Sequence, residues 1–338
     1  MSAAAPRTDE ARAHDPGPKP WGCGLLAVDK PEGMTSHDVV EVVRRRLRVR
    51  PAGHLGTLDP AAGGLLLVAL GAATRFIPVW QGGEKTYEGV VRFGIVTSTQ
   101  DLQGEVLERH DAVPDPAAIL EASLAFLGES SQVPPMASAL KVGGERLYRM
   151  HRRGEVVERE PRRIEVRSWE WLAFAPPDAT FRVRCSGGTY IRTLAHDLGR
   201  ALGSGAALAA LRRVRSEPFG LERSVRPSRV ESEPQDAVWE AAGLTLEQAV
   251  AHLPTLRLEE FEANELGYGR RPSIALARAR NLPLSAGPRS VVIAGSSGTV
   301  LGLGELAPVA TDAVSVRPHV LLPWALREGR AGSGDRAP

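Results

Sequence analysis

The stretch that most constrains the fold is Leu65–Leu70, a run of six consecutive apolar residues. It follows a polar loop, residues 53–64, that contains too much glycine and proline for a regular element. The run is far too short to cross a bilayer, so it predicts a fully apolar strand within a folded domain.

The segments around this strand mix further strands with helices. Gly24–Lys30 reads as a short buried strand that Pro31 ends. Thr35 and Asp38 have the spacing of a capping box at the start of a helix, whose apolar face recurs every three to four residues. This mixture predicts an α+β fold rather than a strict alternation of strand and helix. Other strands are expected at Thr86–Phe93, Arg163–Phe174 and Phe181–Cys185, and other helices at Pro116–Leu127, Thr189–Leu202 and Ala206–Arg213.

The C-terminal third differs in character. Residues 217–247 are acidic, contain three prolines and read as a connector with a helix near its end. From about Pro254, short strands alternate with turns, which predicts a small β-barrel or sandwich of roughly 70 residues. A chain of 338 residues accommodates two such domains. Both ends, 1–22 and 327–338, are expected to be disordered. The strands expected in the second domain are Ser290–Ala294, Val300–Leu306 and Val314–Pro318.

The charges nearly cancel, with 42 basic and 40 acidic residues, but the basic ones are clustered. Five arginines lie in Arg44–Arg50, and Lys141–Arg167 holds nine basic residues against five acidic ones. A third cluster is Leu211–Arg215, placed at the end of a predicted helix. Each could be a solvated surface, and the first could complement a helix dipole. Three clusters together favour a nucleic acid as the ligand.

Several other function classes lack their sequence signals. The two cysteines have no metal-ligand spacing, and no signal sequence or membrane span is present, so a soluble, cytoplasmic protein is expected. Nucleotide-binding glycine loops, an HExxH motif and a nucleophilic serine or cysteine elbow are absent from the sequence. The function class that remains is a reaction on RNA that depends on a carboxylate and uses no cofactor or metal.

Asp59 and Arg192 are the strongest candidates for such chemistry. Asp59 lies between Leu58 and Pro60 in the glycine-rich loop. It could cap its own backbone, or act as a nucleophile or general base. Arg192 falls in the first turn of a predicted helix that Thr189 could cap. It could bind phosphate, clamp Asp59 through two hydrogen bonds, or simply lie on the surface.

Six motifs, in order, make residues 23–225 resemble the TruB-type bacterial tRNA pseudouridine synthases. These enzymes isomerise the uridine at position 55 of the tRNA T-loop. The resemblance implies the pseudouridine synthase fold, with a mixed, mainly antiparallel central sheet and flanking helices. The motifs are DKPEGMTS at 29–36, GHLGTLDP at 53–60, KTY at 85–87, PPMASALK at 134–141, SGGTYIRT at 186–193 and LRR at 211–213.

The resemblance implies that Asp59 is the catalytic aspartate and that Arg192 pairs with it. Asp59 would attack ribose C1′ or uracil C6, or remove a ribose proton to give a glycal. Uracil would then detach, rotate and rejoin through C5. Tyr87 would stack on the flipped uracil near the proton that leaves C5, where an aromatic face offsets the cost of unstacking.

Other residues would hold the RNA. His54 would fill the gap that the extruded base leaves, and Tyr190 and Leu211 would line the base pocket. Lys30 would support the loop or contact a phosphate, and residues 134–163 would form an RNA-gripping insertion. The residues expected at the RNA backbone are Lys30, Lys141, Arg152, Arg153 and Arg212.

The implied organisation is a catalytic domain over 23–250 and a PUA-like RNA-binding domain over 251–326 that holds the acceptor end of tRNA. The second assignment depends on strand pattern and on Leu258–Pro272, which matches such modules only faintly. Leu55 departs from the family pattern at a position without assigned chemistry. We expect a monomer that needs no protein partner, cofactor or metal. The alternatives are a synthase that acts on another RNA, such as a guide-directed one, and a non-catalytic tRNA-folding chaperone.

Overall fold

The computed structural model describes residues 19–282 and 291–326. The expected disordered tails therefore lie outside the described residues, except for 19–22, and so does Ser290 of a predicted strand. Pro20–Gly22 form a 3₁₀ turn rather than a tail. In this turn Trp21 is buried, and its indole N–H donates to the Leu47 carbonyl at 3.2 Å.

The described residues form a ten-stranded sheet, a five-stranded sheet, two separate strand pairs (Ile95–Thr97 with Val106–Arg109, and Lys141–Val142 with Glu145–Arg146) and flanking helices, which confirms the α+β class. The strands are β1 Gly24–Lys30, β2 Ala52–His54, β3 Ala62–Leu70, β4 Lys85–Phe93, β5 Ile95–Thr97, β6 Val106–Arg109, β7 Gly128–Gln132, β8 Lys141–Val142, β9 Glu145–Arg146, β10 Arg162–Ala175, β11 Asp178–Cys185, β12 Ala206–Ser216, β13 Phe219–Gly220, β14 Gly243–Thr245, β15 Thr255–Arg257, β16 Ser273–Ala275, β17 Val291–Ala294, β18 Val300–Ala310 and β19 Ala313–Leu321. The helices are α1 Ser36–Leu47, α2 Ile77–Gln81, α3 Pro116–Leu124, α4 Leu147–Arg152, α5 Ile191–Ala201, α6 Pro227–Ser232, α7 Gln235–Ala242, α8 Leu246–Val250, α9 Glu260–Gly267 and α10 Leu276–Ala279. None of these helices is long and apolar enough to span a membrane.

The larger sheet has ten strands and is mainly antiparallel, as the resemblance implies. Its order is β14-β1-β3-β12-β4-β11-β10-β7, while β2 pairs with β3 and β13 with β12. The pairing of β3 with β12 is parallel, and the other pairings in this sheet are antiparallel. The acidic connector is part of this unit, because β14 pairs with β1 at the edge of the sheet.

The apolar run lies in β3, which is buried along its whole length. Leu66 and Val68 point into a core shared with the apolar face of α1. Leu65 and Leu67 point to the other side, into a second core that includes residues of the C-terminal sheet, such as Leu303. The continuous hydrophobicity of β3 follows from this burial on both faces.

Helix α1 begins where its sequence predicts. The Thr35 hydroxyl accepts a hydrogen bond from the Asp38 amide at 3.1 Å, and the Asp38 carboxylate accepts one from the Thr35 amide at 2.9 Å. This capping box satisfies two amides that the first turn leaves free.

Two local predictions are wrong. The segment predicted as a helix at Ala206–Arg213 is strand β12, because it lies between β3 and β4 and pairs with both. Cross-strand pairing here outweighs the helix propensity of its alanines. Thr189 does not cap α5; its hydroxyl donates to the Ser186 carbonyl, and the helix begins after Tyr190.

The C-terminal module is a five-stranded sheet in the order β15-β17-β18-β19-β16. It has its own core, which includes Leu266, Ile274 and Val316. Its outer strands β15 and β16 are not paired with each other among the described residues, so the sheet is open rather than a closed barrel.

Candidate active site

Asp59 lies in a loop between β2 and β3 whose backbone is held on both sides. The hydroxyl of Ser36, the first residue of α1, accepts from the Leu58 amide at 2.8 Å and donates to the Leu58 carbonyl at 3.0 Å. The Ala62 amide donates to the Asp59 carbonyl at 3.0 Å. The Asp59 side chain remains 41% exposed. The fold therefore presents a solvent-accessible carboxylate on a rigid turn.

Lys30 supports this loop from inside the protein. It is fully buried, and its ammonium donates to the carbonyls of Met34 at 2.6 Å, Pro31 at 3.0 Å and Pro60 at 3.3 Å. Burial lowers the pKa of Lys30 to about 8, although the nearby Asp59 carboxylate acts in the opposite direction. Of the two roles expected for Lys30, the structure matches loop support. A phosphate contact is not compatible with its burial.

Replacing Lys30 with methionine should change how stability responds to alkaline pH. The pKa of Lys30 in the folded protein is about 8, below the value of about 10.4 expected in the unfolded chain. Between these values the unfolded chain binds more protons. Lys30 therefore makes the free energy of unfolding rise with pH, by at most about 1.4 kcal/mol per unit. In urea titrations, the unfolding free energy of the wild type minus that of Lys30→Met should increase from about pH 8 to about pH 10. A constant or shrinking difference would contradict the buried, bonded ammonium.

Arg192, the second residue of α5, pairs with Asp59 as the resemblance implies. Its Nε lies 2.9 Å from Asp59 Oδ2. Its Nη1 and Nη2 donate to the carbonyls of Thr99 and Ala137, both at 2.8 Å, and its side chain is only 5% exposed. Because those nitrogens are occupied by the backbone, the contact with Asp59 is through Nε rather than a two-bond clamp.

Asp101 is a second carboxylate at the same guanidinium, and sequence reasoning missed it. Its Oδ2 lies 3.6 Å from Arg192 Nε. Its Oδ1 accepts from the Thr99 hydroxyl at 2.5 Å and from the Gln103 amide at 3.0 Å. Asp101 follows strand β5 in a turn with no distinctive local pattern, so only its position in the fold identifies it.

Tyr87 and Leu211 lie on one face of the central sheet. Tyr87 on β4 is opposite Arg213 on β12, and Leu211 is opposite Gly89 two residues further along β4. Side chains two residues apart share a face, so the phenol and the leucine point the same way. Both are 9% exposed. Burial raises the pKa of Tyr87, and the Asp59 charge adds to the rise.

Arg213 connects Tyr87 to the Asp59 loop, a role that its membership of a basic cluster did not suggest. The side chain is 2% exposed, and its Nε donates to the Leu65 carbonyl at 2.8 Å. Its Nη2 donates to the Gly56 carbonyl at 3.2 Å, and Arg213 is the cross-strand neighbour of Tyr87, whose pKa it lowers against the larger effect of burial. Arg213 is therefore an internal brace rather than an RNA contact.

Tyr190 and His54 border the same region. Gln132 is buried and bonds both backbone groups of Tyr190, accepting from its amide at 2.8 Å and donating to its carbonyl at 3.0 Å. Burial raises the pKa of Tyr190, with a further contribution from Asp59. Burial, and then Arg213, lower the pKa of His54 on β2, which favours the neutral imidazole.

The residues expected at the RNA backbone differ in their exposure and in whether they pair with a carboxylate of the protein. Arg212 points to the opposite face of the sheet from Tyr87 and binds Asp29 at 2.9 Å. Arg153 is held by Glu145 and Glu155, both at 2.7 Å, so its charge is compensated within the protein. Arg152 is exposed, and its guanidinium lies 5.7 Å from the centre of the Tyr148 ring. Lys141 is also exposed, on β8.

No three histidine, cysteine, aspartate or glutamate side chains converge to form a metal site among residues 19–282 and 291–326. The site is instead organised by two cations, Arg192 and Arg213, around the Asp59 loop.

Comparison with known families gives two consecutive matches. Residues 44–191 match the family described as TruB family pseudouridylate synthase (N terminal domain). Residues 192–250 match the tRNA pseudouridylate synthase B C-terminal domain. The chain is 42% identical to tRNA pseudouridine synthase B of Burkholderia pseudomallei (strain 668) over 257 residues, which cover 76% of this chain and 85% of that protein. It is 48% identical to the protein of the same name from Opitutus terrae over 212 residues, or 62% and 88% of the two chains.

Solved structures extend the similarity beyond residue 250. A Cbf5-Nop10-Gar1 complex contains a chain with a TM-score of 0.69 and 28% identity, covering 90% of this chain and 86% of that one. An H/ACA RNP bound to a substrate RNA containing 2'-deoxyuridine gives a TM-score of 0.66 at 25% identity, over 89% and 85%. Because residues 1–250 make up about three quarters of the chain, these matches include the C-terminal module.

Proposed function

Since the chain belongs to the TruB family of tRNA pseudouridine synthases, we propose that the uridine it isomerises is uridine 55 in the T-loop of tRNA. The observation that carries the proposal is the buried Arg192 guanidinium that pairs with the exposed Asp59 carboxylate at 2.9 Å. In the proposed site, the Arg192 guanidinium holds the Asp59 carboxylate at the entrance of a pocket that Tyr87 and Leu211 line. Two similar proteins are named tRNA pseudouridine synthase B, which supports tRNA as the substrate.

In the proposed reaction the target uridine leaves the RNA stack, because its glycosidic bond is otherwise inaccessible. Asp59 attacks ribose C1′ or uracil C6, or removes a ribose proton. The N1–C1′ bond breaks, uracil rotates, and C5 bonds to C1′. Any bond from Asp59 to C1′ or C6 breaks again, or Asp59 returns the ribose proton that it removed. C5 then loses its proton and N1 gains one. The product is an isomer of the substrate, so the net reaction consumes no cofactor. Arg192 fixes the direction of the Asp59 carboxylate and places a cation beside it.

The neighbouring side chains would hold the base and the RNA. Tyr87 stacks on the flipped uracil, Leu211 and Tyr190 form the rest of its pocket, and His54 enters the gap in the T-loop. Lys141 and Arg152, which are exposed, contact RNA phosphates. The C-terminal module is PUA-like and holds the acceptor end. The enzyme works in the cytoplasm as a monomer, without a protein partner.

The alternative that needs the sharpest test is guide-directed action on another RNA. It is favoured by the structural similarity to a chain from an H/ACA RNP bound to a substrate RNA. The purified chain should convert the uridine of a bare T-arm stem-loop to pseudouridine, mapped by chemical labelling and primer extension. A stem-loop with cytidine at that position controls for site specificity. No product without added guide RNA or partner protein would overturn the proposal. Product at another uridine of intact tRNA would overturn position 55.

Tyr87→Ala is expected to lower kcat more than tRNA affinity, because the ring acts on the flipped base and not on the RNA surface. A loss of roughly 10²-fold or more in kcat is the size expected for a group near a proton transfer. Tyr87→Phe keeps the ring but loses the hydroxyl beside Arg213, its cross-strand neighbour, so the two variants separate the effect of stacking from that of the hydroxyl. Leu107→Ala, at an exposed apolar residue of β6 in the catalytic domain, serves as the control. Equal losses in Kd and kcat would contradict the assigned role.

A further inference from the structure

Helix α1 carries a polar stripe along its outer face. His37, Glu41 and Arg44 follow each other at intervals of four and three residues, which places them on one side of the helix, and Arg48 is the residue directly after its end. The His37 side chain is 79% exposed. The opposite side of α1, with Val39, Val43 and Leu47, packs into the core. The stripe therefore faces solvent along the length of the helix.

One end of the stripe lies beside the candidate active site. Ser36, next to His37, bonds the Leu58 backbone directly before Asp59. The charge of His37 also contributes to the lowered pKa of His54, after burial and Arg213. At about 1.5 Å per residue, the eleven residues from His37 to Arg48 place the other end roughly 16 Å away.

The far end is an arginine cluster with few acidic partners. Arg44, Arg45, Arg48 and Arg50 line an open cavity together with Glu41. Arg44 pairs with Glu41, and Arg45 lies 3.7 Å from Glu231.

The guanidinium of the neighbouring Arg46 donates to the backbone carbonyls of Val230 and Glu233. These neutral partners do not offset its positive charge. A helix dipole accounts for cations in the last turn of α1 but not for Arg50, which lies beyond its end. The cluster is therefore a net positive surface with room for an anion.

We propose that Arg44, Arg45, Arg48 and Arg50, the α1 basic track, bind phosphates of the RNA stem that flanks the reacting uridine. The inference builds on the proposed function, since it needs that uridine at Asp59. A distance of roughly 16 Å corresponds to several base pairs of a duplex, whose phosphates are the densest negative charges available to such a surface. Arginine also suits phosphate through its planar set of donors.

The test uses Arg48→Gln with Arg50→Gln, two exposed arginines of the track, in an Asp59→Asn background, so that binding is measured without turnover. Binding of a T-arm stem-loop should weaken roughly tenfold at low salt, and the slope of log K against log salt should fall by about two. Arg200→Gln is the matched control, because Arg200 lies exposed in the last turn of another helix, α5. Arg48→Lys with Arg50→Lys should restore most of the affinity, and thermal melts check that each variant folds.

A second RNA, shortened by the base pairs far from the loop, locates the contact. Shortening should weaken binding to the protein with intact arginines and have little further effect on the glutamine variant. Three outcomes would overturn the proposal. They are additive losses of affinity from the shortened RNA and the glutamine substitutions, a glutamine variant with unchanged Kd and salt slope, and a lysine variant that binds as weakly as the glutamine variant. Pseudouridine formation is measured separately on the protein that retains Asp59. If no pseudouridine formed, the proposed function would be overturned. Binding that depended on both the arginines and the RNA stem would still support the phosphate contacts of the α1 basic track.

Discussion

Asp59→Asn is expected to abolish pseudouridine formation while leaving tRNA binding nearly unchanged. The asparagine amide has the shape of the carboxylate and keeps an oxygen for Arg192, but it has no charge and cannot act as a nucleophile or base. Loss of such a group lowers kcat by roughly 10⁴-fold or more. Single-turnover assays of labelled tRNA give the rate, and filter binding gives Kd. The Kd should stay close to the wild-type value, since the RNA contacts proposed above lie on other residues.

Asp111→Asn is the matched control, because Asp111 is an exposed aspartate in a loop before α3. It should retain wild-type turnover. If Asp59→Asn formed pseudouridine as fast as the wild type, Asp59 would have no catalytic role. If neither the wild type nor the variant formed any while both refolded misfolded tRNA, the chaperone alternative would be correct.

The elements that sequence predicted best are those whose signals are local. The capping box of Thr35 and Asp38 and the apolar run in β3 each lie within a few residues, and both have the expected structure. The β12 segment has a local pattern compatible with a helix, and only its pairing with β3 and β4 makes it a strand. Such long-range pairing leaves no periodic trace in a short alanine-rich segment.

Some residues of the candidate site could be predicted from the sequence, and others only from the fold. The resemblance identified Asp59 and Arg192 through motifs that lie far apart in the chain, and the structure joins them. Arg213 and Asp101 could not be assigned from the sequence. The sequence does not distinguish a buried, structural arginine such as Arg213 from an arginine on the surface. Asp101 contacts the site only through the guanidinium of Arg192, which belongs to a different element. Burial, which separates these roles, is a property of the fold.

Arg192→Met is expected to lower both stability and turnover. Methionine fills part of the space but removes the charge, so Asp59 and Asp101 would face each other without a cation. The carbonyls of Thr99 and Ala137 would also lose their donors. Because Asp59 is 41% exposed, most of the expected cost comes from these two carbonyls, each of which costs about 1–3 kcal/mol in the free energy of unfolding when it is left without a donor. Loss of a preorganised electrostatic group lowers kcat by roughly 10²–10³-fold.

Arg192→Lys separates the two effects. Lysine keeps the charge, but a single ammonium cannot direct donors toward Asp59, Thr99 and Ala137 with the geometry of a guanidinium. It should recover part of the lost turnover and less of the lost stability. Urea unfolding measures stability, and assays at a temperature where circular dichroism shows each variant folded measure kcat. If Arg192→Met unfolded with the wild-type free energy, the guanidinium would not be holding these loops together. If it also kept the wild-type kcat, the pairing with Asp59 would have no part in the reaction.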